Sequence, residues 1–241
     1  MKKQLMMMTA VGLLLATTAC KKDDNTDNGT GGFTYVQYIN ASPAHQHSDF
    51  YLHGGGESYS LTDVYYLMGT SFGKYRTGSV TLTVEDSHGT LVNAAPLTGA
   101  KDKSYTFILF DSLPHVKYIV LNDTVPTSLP SGKGAIKFIN VSPNAGNITY
   151  RLKGGATLAT NLKYAGTNPT ESYTSFIPVD AGWQDIQVLD ANTLQVIDSL
   201  PLYTIKVDPG QSYTVWTGGY RGASVYPNQL KTFFTYDEIV P

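Results

Sequence analysis

The chain repeats itself. "YINASP" (Tyr38–Pro43) returns as "FINVSP" (Phe138–Pro143) at an offset of 100, and "YLHGG" (Tyr51–Gly55) returns as "RLKGG" (Arg151–Gly155) at the same offset. "GSVTLTVED" from Gly78 answers to "GWQDIQVLD" from Gly182 at 104, "KSYTFIL" from Lys103 to "QSYTVWT" from Gln211 at 108, and "KYIVLND" from Lys117 to "KTFFTYD" from Lys231 at 114. Blocks that keep their order while the offset only grows mean two copies of one unit, with small insertions in the loops of the second. The copies span 33–126 and 134–241. The intervening 127–133 is a linker, marked by Pro130 and Gly132.

The blocks read as strands. In "GSVTLTVED", Val80, Leu82 and Val84 alternate with polar residues, the period-two signature of a half-buried strand. In "GWQDIQVLD" the apolar Trp183, Ile186 and Val188 alternate imperfectly. "SYTFILF" is apolar enough for a central strand covered on both faces. "HGGG", "SHGT", "DAGW" and "DPGQ" supply turn chemistry between them. Beyond the N-terminus no segment shows a capped helical period. Short strands at regular spacing in each copy predict an all-β protein of two tandem immunoglobulin-like β-sandwich domains.

The first twenty residues, "MKKQLMMMTAVGLLLATTAC", carry Lys2 and Lys3, an apolar run from Leu5 to Ala16, and small residues before Cys20. This pattern is a signal peptide over 1–19, too short for a good transmembrane helix. Cys20 is the single cysteine. One reading is a plain signal with a chance cysteine. The reading adopted is a bacterial lipoprotein cleaved before Cys20, which then carries the lipid. Thr17 departs from the usual leucine three positions upstream. Residues 20–32 are polar and glycine-rich, a flexible tether. "CKKDD" resembles the lipoprotein export signal of Bacteroidota, which implies an outer-membrane protein displayed at the cell surface. No cysteine remains for a disulfide, so packing must hold the body together. With a formal net charge of −2, the chain lacks the basic excess that a general nucleic-acid binder uses against phosphates.

"INASP…DFYLHGG" and "INVSP…ITYRLKGG", a later strand starting at glycine and a "SYT" strand resemble the family called domain of unknown function 4397. The resemblance covers both halves from about Phe33. It implies extracytoplasmic β-sandwich domains, often tandem and often on lipoproteins, without an assigned activity or cofactor. Family copies tend to keep an acid at the position of Asp49, where the second copy has Thr149.

"SPAHQHSDFYLH" (Ser42–His53) holds three histidines and an aspartate. The weak metal candidates are His45, His47 and Asp49. In the second copy these positions are Ala145, Asn147 and Thr149, so the fold does without them. Same-face residues on a strand also splay by roughly 6–7 Å, awkward for one ion. A solvated loop is expected, with Phe50 and Leu52 pointing to the core and Asp49, Tyr51 and His53 outward.

Other motifs carry less. "GTSFG" (Gly69–Gly73) fits a nucleophile elbow, but no helix is expected after Ser71. "HGGGES" reads as a turn, like "KGGATL". "DSL" and "DTV" tripeptides resemble a Bacteroidota O-glycosylation signal. Exposed aromatics bind sugars and proteins, and Tyr65, Tyr66, Trp216, Tyr220 and Tyr226 are candidates. Trp183 and Trp216 lie in expected strands and are assigned to cores. The segment "TGGYRGASVYPNQL" (Thr217–Leu230) is longer than its counterpart in the first copy. Its Tyr220, Arg221 and Tyr226 form the candidate recognition surface. The chain reads as a non-enzymatic cell-envelope lipoprotein without cofactor, a structural or protein-interaction module. Its partners are the membrane, through the lipid, and an unidentified envelope protein or glycan. The alternative is a glycan-binding accessory lipoprotein of a polysaccharide uptake system.

Overall fold

The computed structural model describes residues 32–54, 56–111, 116–166, 173, 175–199 and 205–237. The expected signal peptide, Cys20 and most of the tether lie outside these residues. Gly31–Pro241 forms one compact unit. It contains strands and turns and no α-helix among the described residues.

The first copy is a two-sheet sandwich. One sheet runs β4 (Met68–Gly69), β1 (Phe33–Ala41), β8 (Ser104–Phe110), β9 (Lys117–Asp123), with β5 (Gly73–Arg76) also paired to β1. The other runs β3 (Glu57–Tyr65), β2 (His47–Gly54), β6 (Gly78–Asp86), β7 (Gly89–Gly99). β1 lies parallel to β8, with Tyr38 opposite Phe107, and every other pairing here is antiparallel. The alternation read in β6 holds: Val80, Leu82 and Val84 are buried. They pack with Phe50, Leu52, Val36, Tyr38, Phe107 and Leu109 between the sheets. Each such side chain taken from water stabilises the fold by about 1.5–3 kcal/mol.

The second copy repeats this order. β13 (Ile177–Asp180), β10 (Lys133–Asn140), β18 (Ser212–Gly218) and β19 (Lys231–Asp237) form one sheet, with β10 parallel to β18. β12 (Thr157–Leu162), β11 (Ile148–Leu152), β15 (Ile186–Asp190) and β16 (Val196–Ser199) form the other. The long β6–β7 hairpin of the first copy is broken here, because β14 (Gly182–Gln184) pairs separately with β17 (Ile205–Val207). The assignment of Trp183 to a core is corrected. It is 68% exposed on β14. The repeat explains this, since at an offset of 104 Trp183 stands where the first copy has Ser79, an outward position of β6.

β8 and β18 are buried along their whole length. Their second faces are covered because the two sandwiches pack sheet on sheet. Ile39, Ala41, Ile108, Phe110, Ile119 and Leu121 of the first copy join Ile139, Val141 and Trp216 of the second in one apolar cluster. The core of the second sandwich is therefore continuous with the interface to the first.

Candidate functional site

The shared Asn-x-Ser-Pro segment is a buried lock. Asn40 Nδ2 donates to the carbonyls of His45 (2.9 Å) and Val64 (3.0 Å), while its Oδ1 accepts from the Ser42 amide (3.1 Å). Asn140 does the same with Gly146 (2.9 Å), Leu162 (3.2 Å) and the Ser142 amide (3.1 Å). The serine hydroxyls tie the turn to the segment after β8 or β18, Ser42 through the carbonyl of Asp111 and Ser142 through that of Gly219. One amide side chain thus satisfies several backbone groups that burial would otherwise leave unpaired.

The histidines do not converge. His45 was expected on a solvated loop, but it is 3% exposed, and its Nδ1 lies 2.6 Å from Asp86 Oδ2. Burial works to raise the Asp86 carboxyl, yet the His88 amide and the His45 ring hold it below the usual range. His47 turns the other way, with Nδ1 at 2.5 Å from Asp63 Oδ1 on the exposed face of β3. Asp49 Oδ1 accepts the amide of Asp63 at 2.7 Å. Asp63 has φ of 61°, and β2–β3 pairing shifts register between Ser48 and Phe50. Asp49 and His47 therefore hold a bulge. The second copy builds the same bulge from other residues. Thr149 Oγ1 accepts the Asn161 amide (3.3 Å), and Asn147 Nδ2 donates to Asn161 Oδ1 (2.7 Å). Among the described residues no group of three or more His, Cys, Asp or Glu could hold a metal ion. "GTSFG" forms the connection between β4 and β5, two strands on one edge of β1, with Ser71 exposed.

The long loop after β18 folds back onto both copies. Tyr220 is half-buried and donates its hydroxyl to Asp111 Oδ1 of the first copy at 3.0 Å. Tyr164 (3.1 Å) and Lys117 (3.1 Å) meet the other oxygen of Asp111, so this carboxylate fastens the copies together. Arg221 stays within the second copy. Its Nη1 lies 2.5 Å from Asp190 Oδ2 and its amide donates to Asn144 Oδ1 at 2.7 Å. The arginine, helped by the Thr193 and Asn192 amides, holds the Asp190 carboxyl down at about 2. Tyr226 is 61% exposed, but its hydroxyl donates to Gln46 Oε1 at 3.4 Å and its ring lies 6.3 Å from that of buried Tyr66. Of the three candidate recognition residues, only Tyr226 presents a large open apolar surface. It is flanked by Val225 (70% exposed). Tyr65 (47%) and Met68 (57%) are chain neighbours of Tyr66 in the first copy. Trp216, another aromatic candidate, is wholly buried between the copies.

A sealed polar cluster lies at the centre of the interface between the sandwiches. Lys137 of β10 points its ammonium at Asp123 of β9, Nζ to Oδ1 2.7 Å, with both side chains 0% exposed. This contact is a close ion pair rather than a well-directed hydrogen bond. Lys137 also donates to Thr106 Oγ1 (2.8 Å), which lies 2.5 Å from Asp123 Oδ2 and 3.2 Å from Gln37 Oε1. The Gln37 amide in turn meets Asp237, which accepts the Thr214 hydroxyl at 2.6 Å. The contacts are reciprocal: Lys137 of the second copy reaches Asp123 of the first, and its counterpart Gln37 reaches Asp237. Thr106 has one proton and cannot donate to both Asp123 and Gln37. With the Gln37 amide turned over, it donates to Thr106 and its carbonyl accepts from a protonated Asp237, so both ends of the amide are paired. Burial pushes Asp237 up to about 6 against the opposing pull of Lys137 and Thr214, and it raises Asp123 as well. One ammonium for two carboxyls leaves room for that proton.

Residues 34–151 match the model of a family described as domain of unknown function, DUF4397. This stretch belongs to that family. The DUF4397 segment runs from β1 to β11, through the whole first sandwich and into the second. A comparison with curated proteins gives no match. Among solved structures, a candidate cell adhesion protein from Parabacteroides distasonis overlaps 87% of this chain and 99% of its own, at 8% identity and a TM-score of 0.26. A family 26 carbohydrate-binding module of Eubacterium rectale Amy13K, solved with maltoheptaose, overlaps 87% and 98% at 12% identity and 0.24. A leucine-rich repeat protein from Bacteroides thetaiotaomicron overlaps 84% of this chain and 27% of its own at 12% identity and 0.21. Overlaps at TM-scores this low carry no argument about fold or function.

Within the DUF4397 segment the sequence reading missed Gln37, Thr106, Asp123 and Lys137. A signal existed. "YVQYIN" and "AIKFIN" each place one long polar residue inside an otherwise apolar strand, at matching positions, and "SYT" and the strand-ending aspartate recur beside them. A polar residue kept in both copies of a strand buried on both faces requires a buried partner.

Proposed function

We propose that the protein is a non-enzymatic recognition module of the cell envelope. In this reading it is lipid-anchored through Cys20 and displayed at the outer cell surface. It engages a partner protein through the exposed loop surface of Tyr226 and Val225 in the second copy. One observation carries the reading. Tyr226 is well exposed and yet fixed, by Gln46 and Tyr66 of the other copy, so it can bury apolar area at a partner without first being ordered. Tyrosine is also a residue type that dominates binding energy at interfaces. Tyr220 and Arg221 support the loop from below rather than touch the partner.

The experiment is capture of an envelope protein on the immobilised soluble body, comparing wild type with Tyr226→Ala/Val225→Ser. Loss of capture with an unchanged fold is expected. Equal capture by both would sink this choice of surface. A glycan-binding reading draws on a different residue, Trp183, whose indole lies open on β14 as a flat platform for a sugar ring. Calorimetry against polysaccharides with wild type and Trp183→Ala separates the two. For the anchor, a fatty-acid label that survives Cys20→Ala would overturn it. For surface display, resistance to protease on intact cells would do so.

A further inference from the structure

The Lys137–Asp123 pair holds an amine against a carboxyl group, with both side chains closed off from bulk solvent. Both side chains are fully buried, the nitrogen lies 2.7 Å from one carboxyl oxygen, and the Thr106 hydroxyl donates to the other at 2.5 Å. The Phe176 ring lies 5.1 Å from the ammonium nitrogen. We propose that Lys137 and Asp123 condense to an intramolecular isopeptide bond, covalently joining β10 of the second copy to β9 of the first.

In water this condensation does not proceed, because both groups are charged and hydrated and water drives hydrolysis. In the sealed interface each of these obstacles is removed. An isolated buried charge is costly, so transfer of a proton from the ammonium to Oδ1, giving a neutral amine and a neutral acid, is far less unfavourable than in water. The nitrogen lone pair then attacks Cγ, and the proton of Thr106 stabilises negative charge as it develops on Oδ2. The Cγ–Oδ1 bond breaks. Oδ1 leaves as water, carrying the carboxyl proton and one proton from nitrogen. Nothing is oxidised or reduced, and no co-reactant is needed. The two groups are held together by the packing of whole sheets. Effective molarities for such intramolecular reactions reach on the order of 10⁵–10⁸ M. The product replaces a buried ion pair by a neutral amide, which removes its desolvation cost. The reciprocal site is a built-in control, since Gln37 has an amide where Lys137 has an amine and provides no nucleophile.

The test is a tryptic digest of the folded wild-type protein, denatured and read by mass spectrometry. Trypsin does not cut after an acylated lysine. The expected species is therefore peptide 118–133 joined to peptide 134–151, lighter than their sum by one water. Recovery of 118–133, 134–137 and 138–151 as separate peptides in full yield would overturn the bond. Thr106→Val tests the mechanism within the same digest. A large linear fraction is expected from a variant whose near-ultraviolet dichroism matches wild type, and full cross-linking would remove Thr106 from the role given to it.

Discussion

In the first sandwich the β2–β3 bulge is closed by His47, Asp49 and Asp63; in the second it is closed by Asn147, Thr149 and Asn161. The Asp86 carboxylate is paired with the ring of His45, from the turn before β2, and its counterpart Asp190 with Arg221, from the long loop after β18. β6 and β7 form a continuous hairpin of strands nine and eleven residues long, whereas the matching region divides into β14–β17 and β15–β16. Backbone geometry and hydrogen-bonding needs are shared; the residues that meet them are not. The copies thus separate what the architecture demands from what is local. An acceptor for the bulge amide is demanded, and a carboxylate or a hydroxyl serves. A histidine there is local choice, which is why a histidine-rich stretch need not mean a metal.

The sharpest break in the comparison is at the interface, where the copies stop being interchangeable. Lys137→Met removes the bond proposed above and leaves the Asp123 carboxyl buried without the group it faces. It should destabilise the protein by about 3–5 kcal/mol in chemical denaturation. Gln37→Ala at the matching position leaves Asp237 with Thr214 and should cost less, about 1–3 kcal/mol. Equal losses would mean that the asymmetry of charge is irrelevant.

A pH series probes the same asymmetry. The Asp237 carboxyl is raised in the folded state to about 6, so its stabilisation is fully present below the unfolded value of 3.8 and is lost as pH rises through 6. That shift corresponds to about 3 kcal/mol. Urea midpoints should fall between about pH 4 and about pH 7, and Asp237→Asn should flatten this part of the profile. A wild-type midpoint that rises over the same window would contradict the sign.

The lock asparagines should behave alike. Asn40→Ala and Asn140→Ala each strand buried backbone groups at about 1–3 kcal/mol per unsatisfied group, so losses of about 2 kcal/mol or more are expected in both. A large loss in one copy alone would show that the motif is structural only there. The smallest effect should come from transplanting the second bulge into the first. His47→Asn/Asp63→Asn is expected to change stability by less than about 0.5 kcal/mol, because the interaction is exposed and has a working precedent in Asn147–Asn161. A larger loss would give the histidine a role beyond the bulge.

Much of this was readable without coordinates. Strands followed from the residue pattern, and period two in "GSVTLTVED" put Val80, Leu82 and Val84 inside. Full burial of β8 followed from its apolar run. Trp183 went wrong because a single apolar residue in an imperfect strand was weighed by type, when its repeat partner Ser79 already marked the outward face. His45 went wrong because absence of a histidine from the second copy was read as exposure, whereas Ala145 is equally buried there.

What the sequence determined by itself is therefore what local chemistry and periodicity encode: strands, turns and the all-β sandwich-like fold. What only the tertiary structure decided is which outer faces meet. Gln37, Thr106, Asp123, Lys137, Thr214 and Asp237 lie on strands far apart in the chain, and nothing in their spacing says that they converge. Packing of one sheet against the other brings them together, removes them from water and so turns ordinary polar residues into a proton-holding cluster. The same packing fixes Tyr226 against Tyr66 and buries Trp216, because exposure belongs to the assembled surface and not to any residue alone.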